Sequence, residues 1–307
     1  MSESLAIDVR GLRRTFAGYE ALRGVNLQVP EGSIFGLVGP NGAGKTTTFS
    51  VLCGYLNPTA GEVKVLGCDP RDRAKLGARV GALPQDAPLP QRLSVRQALV
   101  YWSELGGRTP AEAAREADEW LARVGLAEHS SKTGAELSHG MAKRIALAQA
   151  FLCDPELVLL DEPTSGLDPR TAYEVKQLIR SEGGKRTIVI SSHDIAQIEE
   201  LCTGVAIIDR GVVVSQGKLA DVTGQGSVVR IELADEPSAP LLAALGKLDC
   251  VKEHRVDSGA RAIEVQLTKL PPEEAIPAVL TALLSSGGRV VGVVRGVRLE
   301  QRLLELT

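Results

Sequence analysis

The stretch Gly39-Pro40-Asn41-Gly42-Ala43-Gly44-Lys45-Thr46-Thr47 constrains this chain more than any other. It fits the pattern G-x-x-x-x-G-K-[ST], with Gly39, Gly44, Lys45 and Thr46 in register. The preceding SIFGLVG reads as a buried strand, and the following TTFSVLCGYL has apolar spacing compatible with a helix. Gly39, Gly42 and Gly44 let the backbone curl so that successive N–H groups point inward at a polyphosphate. The helix start adds its partial positive charge. In such a loop Lys45 reaches the β- and γ-phosphates of a nucleotide, and the Thr46 hydroxyl ligates Mg²⁺.

The 307 residues suffice for one or two domains with a sizeable core. A net charge of −3 gives no broad attraction to nucleic acid or to anionic membranes, so no nucleic-acid partner is expected. No apolar run approaches the roughly 18 residues of a membrane span. The first residues, MSESLAIDVRGL, lack the basic and apolar regions of a signal peptide. Cys53, Cys68, Cys153, Cys202 and Cys250 show no C-x-x-C or metal-ligand spacing and read as small apolar residues in a reducing cytosol. A soluble, cytoplasmic chain is expected.

Strands alternate with helices along most of the sequence. LAIDVRGL and ALRGVNLQV read as strands with turns at Gly18 and at Pro30–Gly32, and GEVKVLG and RVGALPQ as two more. From Ser94 to about Ala127 the pattern is helical, with Thr109-Pro110 and Glu112 as a start and Gly125 as a stop. Residues 136–153 read as a further helix, with Lys143 and Arg144 on a solvated face. ELVLLDEP and RTIVISSHD are short apolar strands leading into polar loops, and VAIIDRG opens a hairpin. This order predicts a P-loop α/β core with a largely parallel sheet, interrupted by a helical insertion at about 93–150. DVTGQGS is turn-rich and sets a boundary, giving domains at 1–224 and 225–307. Beyond it the segments read strand, helix, strand, strand, helix, strand, a ferredoxin-like βαββαβ unit, with LEQRLLEL as a last helix. Val229, Ile231 and Leu233 share one side of a strand there, and Ile263, Val265 and Leu267 do the same on another.

LVLLDEP carries the second half of the chemistry. Its apolar run delivers Asp161 and Glu162 to the C-terminal end of a strand, where ligands sit in open α/β sheets. Asp161 is expected to hold Mg²⁺ through water. Glu162 is placed to face the γ-phosphate and polarise a water as general base.

With ELSHGMAKRIALAQAFL before it and LDEPTSGLDP around it, the chain over roughly residues 5–220 resembles the nucleotide-binding subunit of an ABC transporter. The family's LSGGQ signature stands here as Leu137-Ser138-His139-Gly140-Met141, with Ser138 and Gly140 matching and His139 and Met141 departing. A Gly-Met ending is similar to signatures of the branch that serves two-part, ABC-2-like exporters. The resemblance implies that Ser138 and Gly140 contact the γ-phosphate of ATP held by a second copy. His139 reads instead as a helix-cap residue. By the same match Gln85 senses Mg²⁺ and the attacking water, Asp168 of Ser165-Gly166-Leu167-Asp168 crosses the dimer, and His193 bonds the γ-phosphate. Phe16 occupies the slot of the aromatic that stacks on adenine, with Tyr19 as the competitor.

The implied function is ATP hydrolysis that powers export of an unidentified substrate through a separate integral membrane subunit. The ATPase subunits would act as a homodimer or heterodimer, peripheral on the inner face of the cell membrane. An ATPase acting on ribosomes or DNA is the alternative. About 90 residues separate Lys45 from Leu137 without sustained heptads, and there is one cassette, both of which favour transport.

Overall fold

The computed structural model describes residues 4–85, 88–224, 227–257, 259, 261–268 and 272–306. The chain divides into two compact units, Met1–Gln216 and Gly217–Thr307. The division falls before the expected 224/225. Thr223 is already tied into the second unit, where its carbonyl accepts the N–H of Val297 at 2.9 Å.

The first unit opens with β1 (Leu5–Phe16) and β2 (Tyr19–Pro30), a long antiparallel hairpin turning at Ala17 and Gly18. Next come β3 (Ile34–Val38), α1 (Lys45–Leu52) and β4 (Ala60–Val65). The strand order β2-β1-β4 makes a three-stranded antiparallel sheet with β1 in the middle. A single turn α2 (Arg73–Leu76) leads to β5 (Val80–Leu83). The helical segment follows as α3 (Val95–Leu105), α4 (Pro110–Arg123) and α5 (His139–Phe151). Capping decides where these helices begin. Ser94 with Gln97, and Thr109 with Glu112, each form a reciprocal capping box, and Pro110 occupies the first turn where its missing N–H is harmless. The third helix starts at His139 rather than at 136, because Ser138 is extended and its hydroxyl accepts the N–H of Met141 at 3.3 Å.

The remainder alternates: β6 (Leu157–Asp161), α6 (Pro169–Glu182), β7 (Thr187–Ser192), α7 (Ile195–Leu201), β8 (Gly204–Asp209) and β9 (Val212–Lys218). The main sheet runs β5-β6-β7-β3-β8-β9, and the five strands from β5 to β8 are parallel. Every residue of β3, β6 and β7 is buried, as expected for strands covered on both faces. The expected Lys143–Arg144 face is not solvated. Both side chains lie largely inside, and Arg144 donates to the Val124 carbonyl at 3.0 Å. α5 packs against α4 through stacked Trp120 and Phe151 rings, 5.2 Å between centroids.

Where α5 meets β5 the backbones touch. A Cβ on Gly81 would lie 1.8 Å from the carbonyl oxygen of Ala150, and neither backbone can retreat without unpacking the sheet. Gly81→Ala should therefore destabilise the first unit by about 3 kcal/mol, the upper range of overpacking. A melt should show Tm lowered by about 6–12 °C. An unchanged Tm would mean that α5 slides freely over β5.

The second unit holds a short α8 (Leu219–Val222), then β10 (Val228–Leu233), α9 (Ala239–Leu245), β11 (Val251–Asp257), β12 (Ala262–Leu267), α10 (Pro272–Ser285), β13 (Val290–Arg295) and α11 (Leu299–Leu306). Its sheet runs β11-β12-β10-β13 with antiparallel neighbours, so β12 separates the two strands that flank α9. That is the split βαβ arrangement of the ferredoxin-like fold. Val229, Ile231 and Leu233 are buried and form one cluster with Ile263, Val265 and Leu267, closed by Leu241, Leu245, Val279 and Leu283 of the helices. The period-two pattern of both strands therefore marks the face under the helices.

Among the described residues no helix is long and apolar enough to cross a membrane. The five cysteines are free, and burial pushes the Cys53 thiol up to about 12, which leaves it protonated and inert.

Candidate nucleotide site

β3 ends at Val38, and the loop 39–44 turns the chain into α1. Gly44 makes the turn with φ 108°, a conformation that other residues rarely adopt. Lys45, the first residue of the helix, is buried. Its ammonium donates to the Gly39 carbonyl at 2.7 Å and to that of Pro40 at 3.1 Å. Burial draws its pKa below the usual lysine value, while the carboxylates of Glu162 and Asp161 act in the opposite sense.

Two strands along, β6 delivers the acidic pair. Asp161 is 2% exposed, and the Ser191 hydroxyl of neighbouring β7 donates to its carboxylate. Glu162 takes φ 50° just past the strand end, and its N–H reaches the Ser191 carbonyl at 3.2 Å. This bend carries Glu162 out of the sheet toward His193, which follows β7. Oε1 of Glu162 accepts the His193 backbone N–H at 3.0 Å and lies 2.8 Å from Nδ1 of its ring. With its proton on Nδ1 the ring donates to Glu162, so Oε2 is the oxygen left to act on a water.

A cavity of about 430 Å³ opens where these loops meet. Asn41, Gly42, Gly44, Lys45, Thr46, Thr47, Gln85, Glu162, Ser165 and His193 line it, together with Tyr19 and Ala21. One wall thus combines a helix N-terminus and a lysine, the other a carboxylate and an imidazole. Pro40 and Ala43 lie on an adjoining hollow with Asn41 and Gly42, and Gly39 lies beneath, its carbonyl held by Lys45. Asp86 and Ala87, next to Gln85, fall outside the described residues.

Phe16 is not on the lining. It sits opposite Tyr19 at the end of the β1–β2 hairpin, and the Arg14 guanidinium lies 4.4 Å over its ring. Tyr19 is the aromatic that borders the cavity, with 65% of its surface exposed.

Ser138, Gly140 and Asp168 are also absent from the lining and stand together elsewhere in the chain. Asp168 caps α6, accepting the N–H groups of Arg170 and Thr171 at 3.1 and 3.0 Å, and the Thr171 bond holds its carboxyl below the usual carboxylate range. The His139 ring covers Gly166, so close that a Cβ there would lie 2.9 Å from Nε2. Gly140 faces Leu167 and Thr171 across the same contact. The segments 138–141 and 165–168 thus form one surface built around two helix starts.

A model of the ABC transporter family matches residues 22–165, and a model of an AAA domain matches residues 133–198. The daunorubicin resistance ATP-binding protein DrrA3 of Streptomyces coeruleorubidus is 34% identical over 305 residues, covering 98% of this chain and 96% of that protein. The chain belongs to the ABC transporter family of ATP-binding proteins. Two further members of this ABC family illustrate the range. The linearmycin resistance ATP-binding protein LnrL of Bacillus subtilis is 27% identical, with 98% of each chain covered. The daunorubicin/doxorubicin resistance ATP-binding protein DrrA of Streptomyces peucetius is 32% identical, covering 76% of this chain and 72% of its own. Among solved structures, the ATP-binding subunit of an ABC transporter matches with a TM-score of 0.67 at 28% identity, over 72% of this chain and 93% of that one. The dimeric cassette MJ0796 matches with a TM-score of 0.64 at 25% identity, over 69% and 98%. The protein described here is accordingly an ABC ATPase of the transport-coupled kind, and ATP is its nucleotide.

Mg²⁺ usually keeps several waters and takes one or two protein oxygens besides the phosphates. The donor set fits that habit. Thr46 offers a hydroxyl and Gln85 a carboxamide at the cavity wall, with the Asp161 carboxylate at the end of the adjacent strand, and among the described residues no cluster of three or more acidic, His or Cys side chains competes.

Proposed function

We propose that this ABC ATPase powers export through a separate integral membrane subunit, working as a dimer of ATPase chains peripheral on the cytoplasmic face of the membrane. The observation that carries the catalytic part is the 2.8 Å contact between Glu162 and His193 at a cavity whose opposite wall is Lys45 and the N-terminus of α1. Lys45 and the loop N–H groups hold the β- and γ-phosphates, and Asn41, Gly42 and Thr47 complete the cradle. Glu162 takes the proton of the attacking water. His193 orients Glu162 through Nδ1, and a bond from Nε2 to a γ-phosphate oxygen requires a second proton, on Nε2. Thr46, Gln85 and Asp161 hold Mg²⁺, which when bound neutralises charge on the phosphates. An aromatic at the hairpin tip stacks on adenine: Phe16 by its place in the sequence, Tyr19 by its place on the cavity.

Ser138, Gly140 and Asp168 complete the site of the partner copy. Their separation from their own cavity and their grouping on one surface support that reading, as does the dimeric cassette among the structural relatives. Export is supported by the drug-resistance relatives and by the Nod factor export protein of Rhizobium, 32% identical over 215 residues. The second unit, with its own core, serves dimer stability or regulation rather than nucleotide binding.

A Lys45→Ala chain mixed with a Ser138→Ala chain tests the shared site. Each variant alone should be inactive, whereas the mixed dimer retains one intact composite site and recovers part of the ATPase rate. Mixed dimers that form and stay inactive would refute action across the dimer.

A further inference from the structure

The catalytic pair is fastened from behind by a side chain that neither touches nucleotide nor belongs to any motif above. Gln197, in α7, is 2% exposed. Its carboxamide oxygen accepts two hydroxyls, from Thr164 at 2.9 Å and from Ser192 at 3.0 Å. Thr164 lies two residues beyond Glu162, and Ser192 immediately precedes His193. The Ser192 hydroxyl also accepts the Asp194 N–H at 3.0 Å, which leaves its own proton to donate to Gln197 Oε1. The Gln197 N–H in turn donates to Asp194 Oδ1 at 3.2 Å, anchoring the side chain's own backbone to the loop it holds. Oε1 thus joins the loop leaving β6 to the loop leaving β7.

The other end of the amide has no matching role. Nε2 is buried and has no hydrogen-bond partner among the described residues. A core position that served packing alone would avoid such a group, because an apolar side chain of similar volume leaves no buried donor without a partner. What the position retains is an acceptor aimed at two hydroxyls.

We propose that Gln197 is a positioning residue for hydrolysis, an acceptor that locks the Thr164 and Ser192 loops together and so holds Glu162 against His193. This rests on the reading of Glu162 as base and His193 as its partner. With the lock released, the two loops move independently, and the carboxylate spends less time aligned on the water. Misalignment lowers the chemical step far more than nucleotide binding.

Steady-state ATPase rates of the full chain, measured with Mg²⁺ over a range of ATP concentrations, test it. Gln197→Met keeps the volume and removes the acceptor, so kcat should fall about tenfold while KM for ATP stays within about twofold. Gln197→Glu keeps an acceptor for both hydroxyls and should restore kcat to within about twofold of the parent. Thr164→Val should act in the same direction, and combining it with Gln197→Met should add little. A folded Gln197→Met protein with the parent's kcat would overturn the proposal, as would a Gln197→Glu protein as slow as Gln197→Met. If Gln197→Met does not fold, Thr164→Val decides, and an unchanged kcat there overturns it equally. Glu162→Gln, run alongside, separates the two readings: full turnover in that variant removes the base assignment itself, whereas its collapse beside an unaffected Gln197→Met removes only the lock.

Discussion

Lys45→Ala should bind ATP at least about thirtyfold more weakly and show no measurable turnover. The ammonium is held in a buried position by the carbonyls of Gly39 and Pro40, in a loop whose remaining donors, backbone N–H groups, the Asn41 carboxamide and two threonine hydroxyls, are all neutral. It is the one side chain of that loop with a full positive charge. Truncating one member of a desolvated charge pair typically costs about 2–5 kcal/mol, which corresponds to roughly thirtyfold to several thousandfold in affinity. The helix N-terminus remains, but it supplies only about half an elementary charge. Calorimetric titration with ATP checks the result, and a melt confirms that the first unit is intact. Parent-like affinity would mean that the phosphates lie elsewhere than in the 39–47 loop.

Glu162→Gln should behave in the opposite way, with ATP binding preserved and hydrolysis lowered at least about a hundredfold, the scale of a lost general base. The amide is nearly the same size and its oxygen can still accept the His193 N–H groups at Oε1's position, so the geometry survives. What it cannot do is accept a proton from water. Removing its negative charge also takes away one of the two carboxylates facing Lys45, which should favour the bound phosphates. ATP should therefore accumulate on the variant. A single-turnover measurement that finds equal cleavage rates in the two proteins would exclude Glu162 as the base.

Much of this was legible in the sequence because the informative residues are neighbours along the chain. The loop 39–47 needs only itself and the flanking strand and helix, and the pair Asp161–Glu162 needs only the strand that delivers it. The βαββαβ order of the second unit was also readable, since Val229, Ile231 and Leu233 alternate cleanly under a single layer of helices. What could not be read depends on contacts distant in sequence. The role of Ser191, as partner of Asp161, comes from β7 pairing with β6, and that of Gln197 from α7 packing against β7 and reaching Thr164 beyond β6. Their only local trace is the pair of hydroxyls in SSH, which looks like any polar strand end. Lys143 and Arg144 read as a charged helix face, but both are largely buried, and Arg144 meets the Val124 carbonyl and the Glu174 carboxylate of α6. Which hairpin aromatic borders the cavity depends on the turn at Ala17–Gly18, which places Phe16 and Tyr19 opposite one another and lets Arg14 cover Phe16.

The strand order β6-β7-β3 has a consequence of scale. Neighbouring strands stand about 4.8 Å apart, so the strand that leads to Glu162 and the strand that leads to Lys45 are separated by about 10 Å, with the strand that leads to His193 between them. The sheet acts as a ruler. One interval would bring carboxylate and ammonium together as an ion pair, each neutralising the other. Three would leave a water on the carboxylate out of range of any phosphorus held by the lysine. Two intervals leave a gap of the width of a terminal phosphoryl group and its attacking water, and hydrogen-bond ladders on both sides of β7 keep that width constant.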